Sequence, residues 1–183
     1  GGAWKAGLPP QEQDLGGHFA YVGELVAAGR VVGFGPDPEV GRGYYLLAPS
    51  LDAAHFAADD PGLTSGVLRQ VGVTSWSWVV DALPNTVDAG ATYALVEYPP
   101  GPAWKPGGLT DQDLAAHMDY VGARVAAGEV LAGGPLGPGG GYLVRVAGPE
   151  RLTAMIEEDP AVRAGIFTPK VHRWAVQALA SAR

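Results

Sequence analysis

The chain has 183 residues, of which 47% are hydrophobic and 17% charged, with no cysteine and a formal net charge of −7. That balance excludes a disordered chain, and the missing thiols exclude disulfides, thiolate zinc centres and cysteine nucleophiles. The acidity argues against nucleic acid as a partner, no apolar run reaches the roughly 18 residues of a membrane span, and Gly1-Gly2-Ala3-Trp4-Lys5 carries no secretory pattern, so a soluble, cytoplasmic protein is expected.

In chain order, Leu15, Phe19, Val22 and Val26 form an apolar stripe that predicts a first helix. Val31 to Phe34 and Gly43 to Ala48 read as strands, Ser50 to Ala58 as a second helix and Val71 to Val80 as a strand. A polar stretch from Asp81 to Gly90, carrying Pro84 and Asn85, then separates a unit at 1–84 from one at 91–183, with 85–90 as the linker. Ala91 to Tyr98 is a strand ending at Pro99-Pro100. Thr110 is placed to N-cap the next helix, with Asp111 and Asp113 in its first turn, where the helix dipole favours negative charge. Leu114, Met118, Val121 and Val125 make its stripe, and Gly128 is a natural C′ residue. Glu129 to Ala132 is a strand, Gly137 to Gly141 a glycine-rich turn, and Tyr142 to Val146 a strand. Glu150 to Glu157 is a helix that stops before Pro160, and Val171 to Ala178 is the last strand.

These elements occur twice because the sequence is duplicated. Leu15 to Pro36 aligns with Leu114 to Pro135 at an offset of 99, and twelve of the twenty-two positions are identical. His18/His117, Tyr21/Tyr120, Gly29/Gly128 and Gly35-Pro36/Gly134-Pro135 are among them, and Asp60-Pro61/Asp159-Pro160 and Gly66/Gly165 keep the same offset. Trp4-Lys5 recurs as Trp104-Lys105. The second copy reads β-α-β-β-α-β, the ferredoxin-like split βαβ unit. The first copy follows it from the helix onward and lacks the first strand, which implies either a strand lost ahead of Gly1 or an edge supplied by another segment. Such a sheet with two helices on one face leaves its other face bare. The expected fold class is therefore α+β, two ferredoxin-like repeats whose sheets close face to face as an intrachain pseudo-dimeric α/β barrel, for which a monomer suffices and further dimerisation stays open.

Four residues stand out chemically. His18 and His117 lie early in equivalent helices, on the flank of the apolar face, and Asp60 and Asp159 precede a proline in equivalent places. A carboxylate that accepts from one imidazole nitrogen raises the basicity of the other, and such an imidazole can move protons near neutral pH. The plainer reading is a half-buried helix histidine and an aspartate that caps a turn. Tyr21, Tyr120, Trp4 and Trp104 are repeated aromatics that would line a substrate pocket or pack the core. His55 and His172 have no counterpart and read as surface or packing residues. Two potential ligands per copy fall short of a zinc site, and no phosphate-cradling loop is visible. No cofactor and no metal are expected.

Gly-x-Ala-Trp, a helix histidine, Gly-x-Val, Gly-Pro, Asp-Pro-x-x-x-x-Gly and a final Val-x-x-Trp follow each other in both copies. The second reads Ala103-Trp104, His117, Gly128-Glu129-Val130, Gly134-Pro135, Asp159-Pro160, Gly165 and Val171-His172-Arg173-Trp174; the first reads Ala3-Trp4, His18, Gly29-Arg30-Val31, Gly35-Pro36, Asp60-Pro61, Gly66 and Val73-Thr74-Ser75-Trp76. In order and spacing this resembles the YCII-related (YciI-like) domain, twice over. The resemblance implies the dimeric α+β barrel fold and an enzymatic role for the recurring His and Asp; relatives include a dehydrochlorinase, and similar barrels host muconolactone isomerases and cofactor-free monooxygenases. The expected function is a small cofactor-independent enzyme of isomerase, lyase or cyclase type, acting on a small carbonyl- or phenol-containing molecule through His–Asp acid–base chemistry. The alternatives are a non-catalytic binder of a hydrophobic small molecule or accessory protein, and a purely structural domain. Because the second copy has its own first strand, His117 is expected to be the principal base.

Overall fold

Gly29 and Gly128 end the two first helices with φ of +67° and +71°, the left-handed geometry a C′ residue needs and only glycine adopts without strain. The helices they end are α1, Gly16–Ala27, and α4, Ala115–Ala126. The remaining helices are α2, Ala53–Asp59; α3, Pro61–Thr64; α5, Pro149–Glu158; and α6, Pro160–Arg163. The strands are β1, Val31–Asp37; β2, Arg42–Leu47; β3, Val80–Asp81; β4, Thr92–Tyr98; β5, Val130–Leu136; β6, Gly139–Val146; β7, Lys170–Arg173; and β8, Ala178–Leu179. This computed structural model describes residues 1–39 and 41–180. Its fold is α+β with antiparallel sheets, one ordered β2-β1-β8 and the other β3-β5-β6-β4-β7. Among the described residues no helix is long and apolar enough to cross a membrane.

The two sheets do not divide at the linker. The end of each sequence repeat crosses to the sheet of the other: Val80 and Asp81 pair with Gly133 and Ala132, while Ala178 and Leu179 pair with Phe34 and Gly33. The crossings match bond for bond. Trp76 and Trp174 donate their indole N–H to Gly134 O and Gly35 O, at 3.3 and 2.8 Å. Ser77 N and Ala175 N donate to Pro135 O and Pro36 O, and Val79 N and Gln177 N to Gly133 O and Phe34 O. The repeated Gly-Pro is explained here. A Cβ on Gly35 would collide with the Ala175 carbonyl, and one on Gly134 with the Ser77 carbonyl. The proline has no N–H to leave unpaired, and its carbonyl receives the crossing strand. The predicted strands at 71–80 and 171–178 are thereby shortened and divided, since only the parts that find a neighbour pair.

Three apolar clusters hold these layers. One lies under α4 and α5 and includes Ala94, Val96, Tyr98, Val121, Val144 and Met155. A smaller one, Val22, Leu25, Val31, Leu51 and Phe56, lies under α1 and α2. The third joins the two sheets, taking Val32 and Leu179 from one and Tyr93, Leu131, Leu143 and Trp174 from the other.

Two local expectations change. Thr110 does not cap α4: residues 109–111 form a short 3-10 turn and the helix starts at Ala115. The cause is Gln112, whose side chain accepts from Lys105 N at 2.9 Å and donates to Lys105 O and Gly108 O, both at 2.8 Å. Gln13 does the same to Lys5 and Leu8 in the first repeat. Nor is 137–141 all turn: Leu136 pairs with Gly139, so only Gly137-Pro138 turns and the remaining glycines enter β6.

Candidate functional site

The buried face of α1 is made by His18, Val22 and Leu25, and that of α4 by His117 and Val121. Phe19 and Met118, expected on the apolar stripe, are 51% and 49% exposed instead. Each histidine thus sits in the middle of the buried face and not on its flank. The reason is its partner. His18 Nδ1 lies 2.9 Å from both carboxylate oxygens of Asp60, and His117 Nδ1 lies 2.9 Å from both of Asp159. The imidazoles are 3% and 4% exposed and both aspartates 1%, so each pair is fully desolvated. A carboxylate has only acceptor atoms, so the neutral imidazole that faces it carries its proton on Nδ1 and leaves Nε2 as the acceptor.

Asp60 and Asp159 also have the capping role. Asp60 Oδ1 accepts from Gly62 N at 2.8 Å at the start of α3, and Asp159 Oδ1 from Ala161 N at 2.9 Å at the start of α6. Pro61 and Pro160 follow at the first helical position, where a missing N–H costs nothing. Asp-Pro therefore starts a helix and aims the carboxylate at the histidine at the same time.

The other imidazole nitrogen meets a tyrosine that sequence reasoning did not single out. His18 Nε2 is 2.8 Å from the Tyr45 hydroxyl, and His117 Nε2 is 3.1 Å from that of Tyr142. A signal existed. Tyr45-Leu46 and Tyr142-Leu143 are equivalent in the sheet, but their offset is 97 because the first hairpin is two residues longer. Burial and the Asp60 charge push Tyr45 up to about 12, and burial and Asp159 do the same to Tyr142. Both hydroxyls hold their protons at neutral pH and donate to the histidine.

Around this chain the repeats differ. Tyr98, Tyr142 and Phe167 ring His117, with centroids 5.9, 5.9 and 5.5 Å away. His18 has Phe19 at 5.3 Å and Tyr45 at 5.8 Å, and Tyr45 stacks parallel to Phe34. Tyr142 is 6% exposed, while Tyr45 is only half-buried. The Tyr45 hydroxyl side is thus the more exposed of the two, while His117, expected as the principal base, lies behind the buried Tyr142.

The expected pocket aromatics lie elsewhere. Tyr21 donates to Phe56 O at 3.3 Å and Tyr120 to Met155 O at 2.7 Å, so both tie the first helix of their repeat to the second. Burial and the Glu158 charge raise Tyr120 to about 12. Trp104 packs on Phe167 at the edge of the core, and Trp4 is 37% exposed. Two shallow clefts, one at Tyr93, Arg173 and Trp174 and one at Thr74, Glu97 and Leu136, do not include the histidines. His55 is exposed beside Asp52, whereas His172 lies between the sheets, 3.2 Å from Tyr44 and 3.3 Å from Glu97. Among the described residues no group of three or more His, Asp and Glu could hold a metal ion. No known family, no curated protein and no solved structure matches the chain.

Proposed function

We propose that the chain is a tandem pair of YCII-like units working as a small cofactor-independent acid–base enzyme. In this reading each unit is ferredoxin-like and the two form an intrachain pseudo-dimeric α/β barrel. The element order β4-α4-β5-β6-α5-β7 with its β5-β6-β4-β7 sheet supports the first part; the reciprocal crossings and the core shared between the sheets support the second.

The observation that carries the functional reading is the Tyr–His–Asp chain, built twice with every link between 2.8 and 3.1 Å. Asp60 orients His18, and His18 Nε2 receives the hydroxyl proton of Tyr45. Tyr45 Oη can then take a proton from a carbon beside a substrate carbonyl or phenol, and return it at another position as the imidazolium gives its proton back. Protons balance, and no external base is needed. With its hydroxyl raised to about 12, free phenolate is scarce at neutral pH, so the transfer to His18 has to accompany substrate deprotonation. An isomerisation suits this pattern, and so does an elimination in which Tyr45 gives the abstracted proton to the departing group instead of to carbon. His18 and Asp60 are the catalytic set of this reading, with Tyr45 as the group that meets substrate; His117 and Asp159 repeat the arrangement behind the buried Tyr142.

A second reading has its own observation. Both ring nitrogens are engaged, the imidazoles are buried, and the aspartates cap helices, which together describe a polar lock between α1 and the α2–α3 corner. Hydrogen–deuterium exchange of small enolisable ketones and phenols in D2O, followed by NMR, separates the two. The enzyme reading expects catalysed exchange for at least one class, reduced about 100-fold or more by Tyr45→Phe at unchanged fold. Exchange no faster than in buffer across the panel would leave the lock, or a non-catalytic binder, as the better account.

A further inference from the structure

A line of polar side chains runs between the sheets, apart from the Tyr–His–Asp chains. Asp37 on β1 and Tyr44 on β2 come from one sheet, His172 on β7 and Glu97 on β4 from the other. Tyr44 Oη lies 3.3 Å from Asp37 Oδ2 and 3.2 Å from His172 Nδ1, and His172 Nε2 lies 3.3 Å from Glu97 Oε1. Asp37 is 3% exposed, and its other oxygen already accepts from Glu39 N at 2.9 Å. Burial and the Asp37 charge push the Tyr44 hydroxyl up, so it keeps its proton. The duplication has no second such line. At the places of Asp37, Tyr44 and His172 the other half carries Leu136, Gly141 and Val73.

A carboxylate stands at each end, and carboxylates only accept. Three links therefore need three protons: one between Asp37 and Tyr44, one between Tyr44 and His172, one between His172 and Glu97. The hydroxyl and a neutral imidazole hold two. If Tyr44 donates to Asp37, the ring proton must sit on Nδ1, and Nε2 then turns a lone pair toward Glu97. If the ring proton sits on Nε2, Tyr44 must turn to Nδ1, and the buried Asp37 oxygen loses its donor. Nε2 is buried and makes no aligned hydrogen bond, the mark of a link left open.

We propose that Asp37, Tyr44, His172 and Glu97 are a proton-operated latch between the two sheets, complete when the His172 ring is an imidazolium and one link short when it is neutral. The other charges nearby leave this count unchanged. Lys170 stands opposite Glu97 in the strand pairing and has no acidic proton to spare for the ring, Arg42 acts on Tyr44 from its own strand, and Arg173 is taken by Glu39 at 3.1 Å. Closure adds a side-chain tie to the place where Trp174 and Ala175 already bond the Gly35-Pro36 backbone. The sign follows: the stability that the latch contributes is present when the ring is charged and is lost as pH rises through the range in which imidazoles titrate.

Glu97→Gln tests the count directly, because its amide can donate to Nε2 and complete the line with no added proton. By NMR of the imidazole, the proton concentration that half-protonates the His172 ring is expected to be at least 10-fold higher in Glu97→Gln than in the parent. Half-protonation at the same proton concentration in both would overturn the latch. A second measurement needs no change at position 97. Between pH 5.5 and 8.5 the urea midpoint of the parent is expected to fall at least twice as far as that of His172→Val, which carries the residue of the other half; His18 and His117 contribute alike to both chains. Equal falls in the two would overturn the proposal, whatever the outcome of ketone or phenol exchange.

Discussion

His117 shows how one residue carries structure and chemistry together. It is placed by Asp159, which is placed in turn by its cap on α6 and by Pro160. Removing the imidazole leaves a buried carboxylate and the Tyr142 hydroxyl without their partner. His117→Ala is therefore expected to cost about 3–5 kcal/mol, measured by denaturant unfolding, because truncating one side of a desolvated pair strands the other. A loss below about 1 kcal/mol would mean that the pair is far less desolvated than its burial implies. Tyr142 makes a separate prediction in alkali. Its folded hydroxyl is held at about 12, against about 10 for an unfolded tyrosine. Between those values the folded chain keeps a proton that the unfolded chain gives up, so stability present below pH 10 is lost as pH rises toward 12. Tyr142→Phe should flatten the decline in unfolding midpoint over pH 10–12 relative to the parent; an identical slope would count against the assignment.

At the scale of elements, legibility followed locality. α1, α4, β4 and the paired hairpins were readable because apolar spacing and the glycines at 29 and 128 act within a few residues of themselves. The start of α4 was not. Thr110 with Asp111 and Asp113 is a reasonable cap by local rules, but Gln112 spends its amide on the Lys105 and Gly108 backbone and delays the helix to Ala115. The apolar stripe was displaced by one position for a related reason: period alone favours Phe19 and Met118, and the aspartate that turns the histidine inward is 42 residues away. Asp-Pro was readable as a cap, and the short helices α3 and α6 that it starts follow from it.

The whole molecule is two repeats tied by exchange. β3 adds to the sheet of the second half and β8 to that of the first, and one apolar cluster draws on both halves. Calorimetry is expected to give one cooperative transition, with calorimetric and van't Hoff enthalpies equal. Two separate transitions, with 1–84 and 91–183 melting independently, would contradict the shared core. Both crossings depend on Gly35 and Gly134 having no side chain, which is the physical content of the Gly-Pro pair.

By itself the sequence determined the duplication, the α+β class, the four longer helices and most strands, and the pairing of His18 with Asp60 and His117 with Asp159 as candidates. Each of these is written in local periodicity or in a repeat spacing that needs no third dimension. Tertiary structure alone decided that the strand ends cross between the sheets, that Tyr45 and Tyr142 complete the histidine sites, and that Tyr21 and Tyr120 serve the helices instead. The exchange joins segments more than fifty residues apart whose local pattern is compatible with either sheet; only backbone hydrogen bonding and a shared core distinguish them. The tyrosines were hidden by a two-residue difference in hairpin length, which moves a hydroxyl in sequence register while leaving its position in the sheet, and hence its reach to Nε2, unchanged.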